Sequence, residues 1–390
     1  MPRSVFLLIA LTCLTADGPA AEPSRTALRI ATFNIAMGLE HPGQLAAALS
    51  SGTDRRLRQV TEILQRVRPD IVLLNEFDYD PSLDTAALLN DNYLSRATGN
   101  HAAIHYPHHF RAAVNTGVDS GLDLDGDGRS GGPGDAWGYG SFPGQYGMLL
   151  LSRHPLRGEQ ARTFASFRWA ELPGARAPLR ADGRPFYPED DWNALRLSSK
   201  NHWDVTADIN GRALHLLAFH PTPPVFDGPE DRNGLRNFDE IRFWREYTRP
   251  DGSPFIVDDG GTAGGIAAGE VFVIAGDFNA DPWDGDATPG AIAQLLEAPW
   301  IDARCVPTSI GGSAAARRQG GMNIQQTGDP AADTADFDDR YTGNLRLDYL
   351  LPSAGLGIRG CGVFWPAAGE DGHDLLESSD HRLVWLDISL

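Results

Sequence analysis

Six apolar runs in this chain each break off into a polar residue able to hold a cation or a phosphate, and that recurrence limits the fold more than any single motif. VFVIA (271–275) is the plainest case, a short unbroken run that reads as a buried strand and is ended by Gly276. Asp277 and Asn279 then emerge at its carboxyl end, two residues apart and on the same face while the backbone stays extended. ALRIATFNIA (27–36) places Asn34 in the same way, and PDIVLLNEFD (69–78) places Glu76. ALHLLAFHPTPP (213–224) delivers His220 ahead of a proline-rich turn, and LRLDYLLPS (345–353) carries Asp348. Asp380 and His381 sit just before LVWLDI (383–388). Singly, such residues are turn formers, helix caps or structural histidines. Six together are hard to account for as turns.

The segments between these runs alternate with them as an α/β layout. TDRRLRQVTEILQRVRPD (53–70) puts Leu57, Val60, Ile63, Leu64 and Val67 on one helical face, with Thr53 or Asp54 as cap and Pro69 as stop. WDVTADINGRALHLLAFH (203–220) is two alternating runs around Asn210-Gly211, a strong hairpin signal. GLRNFDEIRFWREY (234–247) reads as a helix with Phe238, Ile241 and Trp244 or Tyr247 inward. Residues 98–146, in contrast, are too polar and glycine-rich for a core. Within them DLDGDG sets Asp123, Asp125 and Asp127 at positions 1, 3 and 5 of a calcium-loop pattern, with Gly128 at position 6. Position 12 is Gly134 rather than a bidentate Glu, so a structural Ca2+ and a solvated acidic turn both stay open.

No linker rich in Pro, Gly or Ser divides the 390 residues into two self-sufficient blocks. The expectation is one domain over 27–390 with long insertions at about 98–146, 221–262 and 305–340. Residues 1–21 differ: Arg3 precedes the apolar run VFLLIALTCL, and small residues follow at Ala20 and Ala21. That pattern is a secretory signal peptide, which implies a secreted or periplasmic protein with no membrane span in the mature chain. Cys13 follows Leu11 and Thr12, a poor context for lipidation. The two remaining cysteines, Cys305 and Cys361, would then meet an oxidising compartment, as a disulfide or as two buried thiols.

The net charge of −19 counts against tight, nonspecific duplex binding. Residues 151–200 reverse the local sign with Arg153, Arg157, Arg162, Arg168, Arg176, Arg180, Arg184, Arg196 and Lys200. Most such positions belong to a salt-bridged surface. Lys200, the chain's only lysine, together with Arg232 and Arg236, is a candidate phosphate ligand.

Taken in order, TFN, the Glu of LLNEFD, YGMLLLSRHPL, the His of AFHP, GDFN, RLDYLL and SDH resemble the endonuclease/exonuclease/phosphatase superfamily of DNase I-like phosphoesterases. The resemblance runs from about Leu28 to the C-terminus. It implies a four-layered α/β sandwich, with two mixed β-sheets packed face to face and helices outside. It also implies a divalent cation, Mg2+ or alternatively Mn2+ or Ca2+, and hydrolysis of a phosphoester by water. A phosphodiester resists nucleophiles through its own charge, so a catalyst must neutralise charge, position water and protonate the leaving oxygen. By this resemblance Glu76, with Asn34 beside it, holds the metal, and Asp380 is a further ligand. Asp277 orients water, Asn279 binds a phosphoryl oxygen, Asp348 fixes the tautomer of His381, and His220 faces the leaving group.

The expected function is thus that of a monomeric, secreted phosphodiesterase, with extracellular DNA or RNA as first substrate. Small phosphoesters or phospholipid headgroups are the second. The alternative from another class is a non-catalytic, calcium-binding secreted module, which would be expected to have lost one of these residues.

Overall fold

The computed structural model describes residues 26–390; segment 1–21, expected to be a signal peptide, lies with Cys13 outside the described residues. Thirteen strands follow one another in these residues. They are β1 (Ala27–Met37), β2 (Ile71–Phe77), β3 (His108–Phe110), β4 (Met148–Ser152), β5 (Arg162–Thr163), β6 (His202–Ile209) and β7 (Arg212–Phe219). Then come β8 (Phe272–Asp277), β9 (Ala335–Asp336), β10 (Asn344–Leu345), β11 (Asp348–Pro352), β12 (Gly357–Val363) and β13 (Val384–Ser389). One six-stranded sheet has the order β12-β13-β1-β2-β4-β3, one five-stranded sheet the order β11-β8-β7-β6-β5, and β9 pairs with β10 alone. Each large sheet holds one parallel pair, β1 with β2 and β7 with β8, among antiparallel neighbours. Both sheets are therefore mixed.

Burial on both faces explains why these strands read as unbroken apolar runs. Alternate residues point into the space between the sheets, where Ile30, Leu73 and Leu150 meet Val205, Leu216 and Val273. The other set points outward. On the six-stranded sheet, Phe33, Leu74 and Leu149 pack under the helix Arg55–Val67 through Leu57, Val60 and Leu64. Asp54 caps that helix by accepting from the Leu57 amide at 2.9 Å, a contribution of about 1 kcal/mol. On the five-stranded sheet, Leu217, Phe219 and Ile274 pack under Phe238, Ile241, Trp244 and Tyr247 of the helix Arg232–Thr248. Helix, sheet, sheet and helix make the four layers. Segment 221–262, expected as an insertion, supplies one of them.

The hairpin at Asn210-Gly211 forms as the sequence indicates, with both residues at positive φ (54° and 84°) and Ile209 paired with Arg212. Cys305 and Cys361 form a disulfide with Cα atoms 6.2 Å apart. It ties the segment before the helix Ile310–Gln319 to β12. Loop-closure entropy makes such a link worth about 4 kcal/mol. Among the described residues, no helix is long and apolar enough to cross a membrane.

Candidate active site

Strand polarity gathers the polar residues at one end of the sandwich. The parallel pairs β1–β2 and β7–β8 present their carboxyl ends there, where ligands of open α/β sheets gather. β11 and β13, antiparallel to their neighbours, present their amino ends. Asn34, Glu76 and His381 thus arrive from the six-stranded sheet, and His220, Asp277, Asn279 and Asp348 from the five-stranded one. The Asn34 amide crosses between the sheets, donating to Asp277 Oδ2 at 3.0 Å and to Glu76 Oε1 at 3.2 Å. Its own Oδ1 accepts from the Ala36 amide at 3.0 Å. Asn75 makes a second crossing, accepting from the Asp277 amide at 3.3 Å and donating to the Phe219 carbonyl at 3.4 Å.

Asp277 is the hub. Its Oδ2 also faces His220 Nε2 at 3.4 Å and His381 Nε2 at 3.6 Å. Burial raises its pKa, but the His381 and His220 imidazoles and the Asn34 amide outweigh that and hold it below the usual carboxylate range. Gly276 lets β8 come this close to β7, since a Cβ there would lie 2.1 Å from the Phe219 carbonyl oxygen. Asp348 stands directly across the ladder from Asp277. Two carboxylates in that register repel each other. Burial and Asp277 push Asp348 up to about 6, against the pull of His381.

His381 relieves the repulsion by lying between the two, with Nδ1 2.9 Å from Asp348 Oδ2. Burial lowers its pKa, yet Asp348 and Asp277 outweigh that and raise it to about 10, which favours the imidazolium. His220 has the opposite balance: burial and the nearby Lys200 ammonium depress it despite Asp277. The surroundings favour the charged form of one histidine and the neutral form of the other. Environments that split paired titratable groups in this way mark acid and base roles.

Glu76 and Asn279 are the half-buried members, and both hold non-glycine backbones at positive φ (55° and 51°). Such conformations cost free energy and persist at functional sites. Asn279 donates to the Pro221 carbonyl at 3.2 Å, and its amide N–H donates to Asp277 Oδ1 at 2.9 Å. Asp380 is exposed, and among the described residues its side chain hydrogen-bonds only with the Ser379 hydroxyl, at 3.5 Å. The donors at this end of the site are hard oxygens, which fits a divalent cation bound through one or two carboxylates with water and phosphate completing the shell. Glu76 and Asp380 would hold it. Asn34, expected beside Glu76 at the metal, turns its nitrogen toward both carboxylates and its Oδ1 toward the Ala36 amide.

Arg232 and Arg236 do not join this cluster. Arg232 pairs with Glu230, and Arg236 donates to the carbonyls of Leu197 at 2.9 Å, Trp137 at 2.5 Å and Arg196 at 2.9 Å. The arginines of 151–200 are also largely engaged within the fold. Arg153 pairs with Asp70, Arg157 with Asp208, Arg162 with Asp258 and Arg184 with Asp182, while Arg180 and Arg196 stack on Phe186 and Trp137. Lys200 is different: it is buried at the site, with Nζ 3.4 Å from the Pro221 carbonyl. Burial lowers its pKa, and Glu240, Glu76 and Asp277 offset that only in part.

Supporting residues came to light only in the structure. Thr334 donates to Asp348 Oδ2 at 2.8 Å, and Ser379 accepts from the His381 amide at 3.0 Å while donating to the Asn34 carbonyl at 2.7 Å. Phe337 closes one side edge-on to His381, with ring centroids 5.7 Å apart. Asn75 and Ser379 adjoin residues already singled out by motif. Thr334 and Phe337 lie within the 305–340 segment and carry no sequence signal.

Asp123, Asp125 and Asp127 do converge in the acidic loop, with ligand oxygens within 4.8 Å of one another.

Residues 31–381 match the Endonuclease/Exonuclease/phosphatase family, and the chain belongs to it. Its reaction class is accordingly hydrolysis of a phosphoester. A search of curated proteins found no match. Among solved structures, an endonuclease/exonuclease/phosphatase from Beutenbergia cavernae is similar at 18% identity and a TM-score of 0.50, covering 93% of this chain and 72% of its own. A family protein from Leptotrichia buccalis is similar at 13% identity and a TM-score of 0.48, covering 93% and 100%. Sphingomyelinase C from Streptomyces griseocarneus is similar at 16% identity and a TM-score of 0.46, covering 93% and 99%. The likeness to the Beutenbergia cavernae structure concerns the fold alone.

Proposed function

We propose that this protein is an exported, divalent-cation-dependent phosphodiesterase whose first substrate class is nucleic acid. The observation that carries the reading is the convergence of Asn34, His220 and His381 nitrogens on one Asp277 oxygen, at 3.0, 3.4 and 3.6 Å. A carboxylate so held stays ionised and directional, as a group that orients an attacking water must be. His381, kept cationic by Asp348, supplies positive charge where the pentacovalent phosphate gathers negative charge. The cation, when bound at Glu76, would withdraw charge from a phosphoryl oxygen. Asn279 offers an amide to another oxygen, and His220 stands on the remaining side as a neutral proton carrier.

Two exposed aromatic side chains support the substrate class. Phe226 (89% exposed) and Trp283 (74% exposed) lie on the loops that leave His220 and Asn279. Each offers a face on which an unpaired base can stack. Flexible single strands suit this surface better than duplex. A second reading, a small phosphodiester or a phospholipid headgroup, is favoured by the internal pairing of the arginines, which leaves little basic track for a polyanion.

The test is a panel of single-stranded DNA, RNA, plasmid DNA, bis-nitrophenyl phosphate, nitrophenyl phosphate and sphingomyelin, each with magnesium, manganese or calcium. Cleavage of single strands ahead of the other natural substrates is expected, and a monoester-only activity would overturn the reading. Glu76→Gln should leave the melting temperature near wild type while raising the magnesium needed for half-maximal activity by about tenfold or more. Unchanged metal dependence would remove Glu76 from the metal site.

A further inference from the structure

Lys200 is the one lysine in a chain with 33 lysines and arginines in total, and it is 6% exposed. A buried ammonium is ordinarily neutralised by a carboxylate in contact and satisfied by several acceptors. Among the described residues, no carboxylate lies within ion-pair distance of this one, and its hydrogen bond is the single long contact to the Pro221 carbonyl. The obvious counter-ion, Glu240, is already committed: one oxygen accepts from the Ser199 amide (2.7 Å) and hydroxyl (3.0 Å), the other from the Thr222 amide (2.7 Å). The same Pro221 carbonyl receives the Asn279 amide at 3.2 Å. A cation and an amide are thus brought to one acceptor, the carbonyl of the residue that follows His220.

We infer that Lys200 is a substrate-binding residue, its ammonium and the Asn279 amide together taking one nonbridging phosphoryl oxygen. The inference rests on the phosphoester reading of the site and adds a fixed cation to it. A compact, strongly hydrated ammonium can move from the carbonyl to an arriving oxyanion with little rearrangement, which a guanidinium fork cannot do in the same space. Phosphate should therefore bind on this side without the divalent ion.

The single lysine makes a direct test available on the whole wild-type protein. With nitrogen-15-labelled lysine, the side chain gives one Nζ resonance, which is followed as inorganic phosphate is added in chelator, with chloride at equal ionic strength as control. A saturable shift with phosphate alone is expected, and in Lys200→Met the phosphate inhibition constant and the KM for bis-nitrophenyl phosphate should each rise about tenfold. A resonance that does not move, or moves equally with chloride, overturns the inference. The spectrum decides the matter even if Lys200→Met does not fold. A shift in a protein inactive on every diester would sink the proposed function and leave the anion seat standing.

Discussion

Among the described residues, two clusters bring three ligand-bearing side chains within 4.8 Å of each other, Asp277–Asp348–His381 and Asp123–Asp125–Asp127. They are assembled from opposite materials. In the acidic loop the carboxylates are answered by their own backbone: Asp123 accepts from Gly126 and Gly128, Asp125 from Asp127, and Asp127 from Arg129. Everything is local and partly solvated. In the buried cluster the members come from β8, β11 and the segment before β13, and each negative charge is answered by an imidazole or an amide from another strand. Three acids written close together make a turn that folds on its own terms. Three titratable groups brought from distant strands need a whole sandwich to hold them, and the charge balance they reach is what chemistry can use.

The sharpest way to break this contrast is to separate His381 from Asp348. If the pair works as a unit, His381→Ala and Asp348→Asn should each lower kcat/KM for a diester by about 100-fold or more, and the double variant should be little worse than either single one. Losses that multiply would mean two independent groups and no couple. The triple Asn variant of the acidic loop should leave kcat/KM near wild type.

A smaller effect is expected in the pH dependence of stability. The folded pKa of His381 is raised to about 10 from an ordinary 6.5. Its contribution is therefore fully present below about 6.5 and is lost as pH rises through about 10. Melting temperature should fall across that alkaline window. In Asp348→Asn the fall should begin at lower pH, because the largest influence raising His381 is gone, whereas the loop variant should keep the wild-type profile. An Asp348→Asn profile superimposable on wild type would show that Asp348 does not hold the charge on His381.

The same contrast explains what could be read in the sequence. Apolar runs ending in Asn34, Glu76, His220 and Asp277 are strands because burial on both faces demands it, and their polar ends meet because parallel neighbours share an edge. DLDGDG was legible for the opposite reason, the hydrogen bonds to its three carboxylates spanning five residues or fewer. Thr334 and Phe337 were not legible. They reach His381 and Asp348 from a segment whose path is set by tertiary packing. Arg232 and Arg236 misled because charge in a sequence does not say which carbonyl or carboxylate will take it. Lys200, read as one of a basic run, proves to be buried beside His220, since the backbone hydrogen bond from Asn115 to the Lys200 carbonyl and the start of β6 direct that segment inward.

The smallest expected effect concerns the acidic loop itself. Its three carboxylates hold one another's turns through backbone amides, so the loop can keep its shape without a cation, and a Ca2+ bound there would act mainly by relieving the repulsion among Asp123, Asp125 and Asp127. An ion that binds only the folded state stabilises it by mass action, about 2.7 kcal/mol at a hundredfold excess over Kd. With no Glu at position 12 to supply bidentate ligation, affinity should be weak, so the shift in melting temperature at millimolar calcium should be a few degrees at most. In the triple Asn variant that shift should vanish. The expected result is a calcium response in wild type that the Asn variant lacks, with phosphodiesterase activity equal in the two. If the variant responded to calcium as wild type does, the ion would be acting elsewhere, and Glu76 with Asp380 would be the place to look, because a calcium response there would disappear in Glu76→Gln instead.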